Sequence, residues 1–240
     1  MNLSKIFLSL AATLLAVNFA SAQVKTKPRP TPTPKLSTAD ISSGLKEALG
    51  KGVKFAVDSL GREDGFLGNA RVRIPLPGKI AKMEKTLRAF GQGRRVDEFV
   101  VSMNRAAEKA VPVAIDVFLD AIKQMTFDDA RKILFSGQDD AATQFFRRTS
   151  ENTLRDKFRP LVEEATASVG VTQKYKDMIG RYGFIGKAIG EDASDLDGYV
   201  TQKALDGLFL LVADEEKKIR KDPIGRTTSI LRKVFGSIIR

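Results

Sequence analysis

Residues 199–221 read YVTQKALDGLFLLVADEEKKIRK, a long run with helical periodicity. Between Ala204 and Ala213 nine of ten residues are apolar or glycine, and Asp206 is the exception. A helix that is apolar on nearly every side belongs in the middle of a bundle, with other helices packed around it. At about 100° per residue, Tyr199, Lys203, Asp206, Leu210 and Asp214 fall within a stripe roughly 80° wide. Asp206 is therefore expected to sit partly buried, where an unpaired carboxylate costs several kcal/mol. It needs a cation. Lys203 is one turn back on the same stripe, and Arg105 and Arg226 are the candidates from elsewhere in the chain. Two readings stand side by side: an ion pair that fixes helix register, or the polar floor of a ligand cavity.

Helical patterns fill most of the chain around that element. Ser37-x-x-Asp40 forms a capping box, and Ile41, Leu45, Leu49, Val53, Val57 and Leu60 recur at helical spacing until Gly61. Gly44, Ala48, Gly52 and Ala56 form a second stripe of small side chains, which predicts close approach of another helix, while Lys46, Glu47, Lys51, Lys54 and Asp58 cover the opposite face. Ile80, Met83, Leu87 and Phe90 make the next stripe, ending at Gly91. Val96, Phe99, Val100, Met103, Ala107 and Ala110 run up to Pro112, and Phe118, Ile122 and Met125 follow. Thr126-x-x-Asp129 is a second capping box. Asp139 or Asp140 is expected to cap the helix carrying Phe145 and Phe146, and Pro160 marks a kink or a junction further on. Asp222-Pro223 signals the start of a last helix. No stretch alternates convincingly as a strand does. The pattern predicts an all-α fold, a single-domain multi-helix bundle over residues 37–240.

One connection is long. Residues 62–77, REDGFLGNARVRIPLP, hold the turn signals Asp64-Gly65 and Gly68-Asn69 and two prolines that forbid helix. Phe66, Leu67, Ile74 and Leu76 are expected to pin this irregular loop to the core. Ahead of the domain, Lys5 precedes an apolar run from Ile6 to Phe19, and Ala20-Ser21-Ala22 has the form of a cleavage site. This is the pattern of a secretory signal over residues 1–22, and cleavage is expected after Ala22, giving a periplasmic or secreted protein. Residues 23–36, QVKTKPRPTPTPKL, form a proline-rich linker.

Several segments together resemble a known bacterial family: MNRAAEKA at 103–110, GQDDAATQFF at 137–146, DLDGYVTQKALDGLF at 195–209 and EEKKIRKDPIGRTTSILRKVFG at 215–236. The family is domain of unknown function 4197, and the similarity runs from Ile41 to Gly236. The resemblance implies an exported, helical, mostly proteobacterial protein. It brings no settled activity, cofactor or catalytic residue, so it assigns no role to any position here.

Composition narrows the chemistry. The chain has no cysteine and no histidine, which removes disulfides, thiol nucleophiles, thiolate and imidazole metal sites, and the commonest general base. No metal or cofactor is expected. The acidic stretch EDASDLDG at 191–198 does not make an EF-hand loop. With Asp195, Asp197 and Gly198 aligned to it, Ala193 and Ala204 fall where the anchoring carboxylates belong. Asp195 or Asp197 as a helix cap is the simpler reading. The net charge of +11 brings nucleic acid to mind, but export weakens that reading; a basic surface without a specific partner is the simpler account, and anionic envelope components are the alternative.

Asn104, Arg105 and Glu108 form a compact polar face, solvated or joined to Asp206, Lys203, Tyr199 and Arg226 in one polar cluster. In the last helix Ile230, Leu231, Val234, Phe235, Ile238 and Ile239 share one half, opposite Arg226, Arg232, Lys233 and Arg240. That fits docking on the core, with peripheral contact to an anionic membrane as the alternative. The leading expectation is a non-enzymatic envelope protein that binds a partner or an apolar or anionic ligand. The rival is a small Asp/Lys-based envelope hydrolase.

Overall fold

The computed structural model describes residues 37–168, 170 and 195–221. They form α1 (Thr38–Gly61), α2 (Gly78–Leu87), α3 (Gly93–Ala110), α4 (Ala114–Gln124), α5 (Phe127–Phe135), α6 (Ala141–Ser168) and α7 (Leu196–Lys221). Among the described residues no strand occurs, so the fold is all-α, as the periodicity predicts. The second half of the acidic stretch falls at the start of α7. The glycine-rich segment at 180–190, the last helix expected from Asp222 onward and Arg226 all lie outside the described residues.

α7 lies in the middle of the bundle, packed against α6, α1 and α3. Val200, Leu205, Leu208, Phe209 and Val212 are all buried. The stripe of Tyr199, Lys203, Asp206, Leu210 and Asp214 is this helix's solvent edge, each residue partly or fully exposed. On α1 the small stripe does what its spacing predicts. Gly44, Ala48, Gly52 and Ala56 are buried, and a Cβ on Gly52 would lie 3.3 Å from the Ile219 side chain of α7. Phe118 of α4 meets Phe146 of α6 and Phe209 of α7 edge to face, with ring centroids 5.1 and 5.9 Å apart. These rings tie three helices into one core.

Local chemistry sets the helix ends. Both capping boxes form: the Ser37 hydroxyl accepts the Asp40 N–H at 3.1 Å and the Thr126 hydroxyl accepts that of Asp129 at 3.1 Å. The Asp129 carboxylate in return accepts from the Thr126 hydroxyl and N–H, and these bonds hold it below the ordinary carboxylate range. Pro112 sits in a short 3₁₀ turn, Val111–Val113, that joins α3 to α4.

Two expectations change here. Phe90 does not complete the α2 stripe. The chain leaves helical geometry in the wide turn Arg88–Gln92, where Gly91 has φ 73°, and this leaves Phe90 58% exposed. Pro160 is not a junction, because α6 continues through it from Ala141 to Ser168.

Candidate functional site

The long connection between α1 and α2 is where the polar side chains of the fold converge. Its first part turns tightly: the Gly65 N–H donates to Arg62 O at 3.0 Å and the Gly68 N–H to Asp64 O at 3.1 Å. Asp64 adopts φ 61°, a left-handed conformation that aspartate tolerates. A Cβ at Gly65 would stand 2.4 Å from the Leu60 carbonyl oxygen, so glycine alone fits there. Arg71 and Val72 complete a turn in which the Val72 and Arg73 N–H groups both donate to Asn69 O, and from Arg71 to Leu76 burial alternates residue by residue, as along an extended chain. Val72, Ile74 and Leu76 point inward, and Arg71, Arg73 and Pro75 face out. With Phe66 and the half-buried Leu67, these are the side chains expected to pin the loop, joined by Val72.

An extended segment with no strand beside it must find partners for its backbone elsewhere. Two side chains of α3 supply them. The Asn104 amide mimics a neighbouring strand: its Oδ1 accepts the Ile74 N–H at 2.8 Å, and its Nδ2 donates to Ile74 O at 2.9 Å. One turn later, Glu108 Oε1 accepts the N–H groups of Phe66 and Leu67 at 3.0 and 3.1 Å. Its other oxygen accepts from Arg105 at 2.6 Å, and Arg105 also donates to Asp64 at 2.8 Å. The bond to Glu108 is the main reason the Arg105 guanidinium is held above its ordinary pKa. From α7, the Tyr199 hydroxyl donates to Pro75 O at 3.1 Å, and burial raises its phenol above the usual value. Arg71 forms a two-pronged pair with Asp214. Beneath the loop, Phe66 and Val72 rest on Gly207 of α7.

Four of the seven residues singled out in the sequence, Asn104, Arg105, Glu108 and Tyr199, thus form one clamp on residues 62–77. Asp206 does not join it, and it is neither buried nor a cavity floor. Its side chain is 42% exposed, it accepts from Gln202 at 3.0 Å, and Lys203 lies 3.8 Å away. The apolar faces of α7 turn inward and leave this stripe at the edge, where water solvates the carboxylate. Arg105 is engaged with Glu108 and Asp64 instead. Lys203 also lies 6.0 Å from the Tyr199 ring.

A second carboxylate clamp was not foreseen. Glu216, 4% exposed, accepts the N–H groups of Ala142 and Thr143, each at 2.8 Å, and so caps α6. Asp139 and Asp140 do not supply that cap: Asp139 lies 3.4 Å from Lys217, and Asp140 accepts from the Gln144 side chain. The sequence did carry a signal. Glu215 and Glu216 continue the buried positions Leu208, Val212 and Ile219 at three- and four-residue spacing. Asp195 caps α7 as expected, accepting the Gly198 N–H at 2.8 Å. Each clamp uses an internal carboxylate where helix ends and turns otherwise bind external anions. Among the described residues no cluster of three or more acidic side chains could hold a metal ion.

The family described as Protein of unknown function (DUF4197) matches residues 35–236. The chain belongs to that family. No curated protein and no solved structure matches it. The DUF4197 match runs from α1 to beyond α7, so the loop clamp and the Glu216 cap both lie inside it.

Proposed function

We propose that this DUF4197 protein is an exported envelope protein that works as a non-enzymatic binding or interaction module for a partner or an apolar or anionic ligand. The observation that carries the reading is the clamp. Asn104 and Glu108, 0% and 5% exposed, are engaged with the backbone of residues 62–77. This holds the loop and its outward side chains on a preformed frame, and preorganisation of that kind lowers the entropy cost of association. Two features of the sequence support it. The first residues have the grammar of a secretory signal, and a chain without histidine or cysteine has a narrow catalytic repertoire.

Native mass spectrometry of protein purified from its own envelope fraction tests this. The expected result is a chain beginning at Gln23 that retains a bound small molecule or partner. Retention of residues 1–22 would show that the segment is an uncleaved anchor, and a bare chain in every gentle preparation removes the binding reading.

A further inference from the structure

α5 is covered on one side only. Ala130, Ile133 and Leu134 face the core, while Phe127, Arg131 and Phe135 follow one another at four-residue spacing along the outward side. Phe135 is 60% exposed and Phe127 39%. Neither ring meets another ring or a cation among the described residues. Phe55 of α1 is exposed too, but the Lys218 ammonium lies 5.5 Å from its ring. Over the outward side of α5 is an open hollow of about 480 Å³, bordered by Asp128, Arg131, Lys132, Phe135 and Ser136. Two aromatic rings sharing one outward face call for a cover.

The rest of the chain sets out from beside this face. α7 stops at Lys221, and its last turns touch α5 and the turn that follows it: Arg220 donates to Ile133 O at 2.9 Å, and Lys217 lies 3.4 Å from Asp139. Residues 222–240 bring an amphipathic pattern, with Ile230, Leu231, Val234, Phe235, Ile238 and Ile239 on one half. As a helix that band is about 14 Å long, and Phe127 to Phe135 spans about 12 Å. The stretch from Lys221 to Ile230 reaches up to about 30 Å when extended, so the band can arrive on α5. Charge agrees. Residues 114–140 hold six aspartates against Lys123, Arg131 and Lys132, and residues 222–240 hold four basic side chains against Asp222. The acidic surroundings attract the segment over several ångströms. Its cations lie on the half away from the apolar band, so docking leaves them in water and clear of Arg131 and Lys132.

We propose that residues 222–240 dock as an amphipathic helix on the outward face of α5, with the band from Ile230 to Ile239 laid over Phe127 and Phe135. The segment is then the fold's own cover for that face, presenting Arg226, Arg232, Lys233 and Arg240 to solvent. The inference goes beyond the binding reading and is independent of it: it holds or falls whether or not the protein carries a ligand.

The chain has no cysteine, so one introduced cysteine takes a nitroxide label at a single place. Labelled Ser237→Cys should broaden the backbone amide signals of Phe127 to Phe135 in the NMR spectrum of the mature protein, equally at every protein concentration. Phe127→Ser combined with Phe135→Ser, both at exposed positions, should abolish the broadening. Val234→Asp combined with Ile238→Asp should do the same while leaving residues 37–221 unchanged, which keeps the test sound if the phenylalanine variant folds poorly. Amides of α5 that stay sharp, or broadening that survives the segment variant, overturn the proposal. Broadening that grows with protein concentration assigns the face to a second copy. A label that becomes immobilised only when vesicles containing anionic lipid are added assigns the segment to a membrane, and either result overturns the proposal as well.

Discussion

Glu216 of α7 holds the first turn of α6 through Thr143, accepting both its backbone N–H and its hydroxyl, at 2.8 and 2.9 Å. The first N–H groups of a helix lack intrahelical partners, and here the missing acceptor arrives from a helix far along the chain. Arg220, one turn further on α7, donates to the same carboxylate at 2.7 Å and to Ile133 O of α5 at 2.9 Å. α5, α6 and α7 are thereby joined at one point. Glu108 does the equivalent for the loop. Two buried carboxylates thus fix the two places where the backbone most needs outside partners.

Glu216→Ala should be among the most damaging single substitutions. It leaves two N–H groups without an acceptor and Arg220 without its partner, and removing one member of a buried charged network costs about 3–5 kcal/mol. Glu216→Gln keeps an acceptor oxygen and should cost less. Urea unfolding measures both, and a loss under about 1 kcal/mol for the alanine variant would show that water replaces the carboxylate.

Gly207→Ala and Gly50→Ala should move stability in opposite directions, although both lie inside helices. A Cβ on Gly207 would come within 2.8 Å of the Phe66 ring and 3.2 Å of the Val72 Cβ. That crowding should cost about 1–3 kcal/mol, outweighing the gain of up to about 1 kcal/mol that alanine brings to a helix. At Gly50 the nearest atom to the new Cβ is a Leu119 methyl at 3.9 Å, an ordinary contact, so the helix gain should appear unopposed. Melting temperatures of the two variants give the comparison. Stabilisation by Gly207→Ala would mean that the loop yields easily.

What was legible follows from what local sequence can encode. The capping boxes at Ser37 and Thr126, the small stripe on α1 and the pinned loop were all readable, because each depends on residues within a few positions of one another. The exposed stripe of α7 was readable as a stripe, but its exposure was misjudged: apolar neighbours at Leu205, Leu208 and Phe209 made Asp206 look enclosed. Which face of a helix meets solvent depends on where the other helices stand. The Glu216 cap and the Glu108 bonds were hidden for the same reason. Each joins segments distant in sequence, and a glutamate bound to a remote backbone looks, residue by residue, like one facing water.

Asn104→Ala and Asp206→Ala separate those two cases. Asn104 is fully buried, and its loss strands both the N–H and the C=O of Ile74. Each unsatisfied buried group costs about 1–3 kcal/mol. Asp206 is 42% exposed beside a Lys203 that is equally exposed, and such surface pairs contribute at most about 1 kcal/mol. Chemical denaturation should rank Asn104→Ala well below Asp206→Ala in stability. The reverse order would return Asp206 to the interior.

Tyr199 should make the loop sensitive to alkali. Burial raises its phenol above the usual pKa near 10, so the fold favours the neutral form, which donates to Pro75 O. The unfolded chain releases that proton near pH 10 and the folded chain at a higher pH. The stabilisation is therefore fully present below about pH 10 and drains away as the pH rises through the folded value. Tyr199→Phe cannot titrate at this position. At pH 8 it should be less stable than the parent by about 0.5–1.5 kcal/mol, the contribution of one hydrogen bond. Pro75 is exposed, so water can take up part of that bond and the loss should fall at the lower end. Above pH 10 the gap should narrow, because only the parent loses a contribution. Tyr175 and Tyr182 are common to both proteins and cancel in the difference. Urea midpoints at pH 8, 10 and 11 give the gap directly, and hydrogen exchange at the Ile74 amide reports whether the loop loosens with it. A gap that stays constant through pH 11 would show that the phenol gains nothing from the fold, and the α7 side of the clamp would then rest on Gly207 and Asp214 alone.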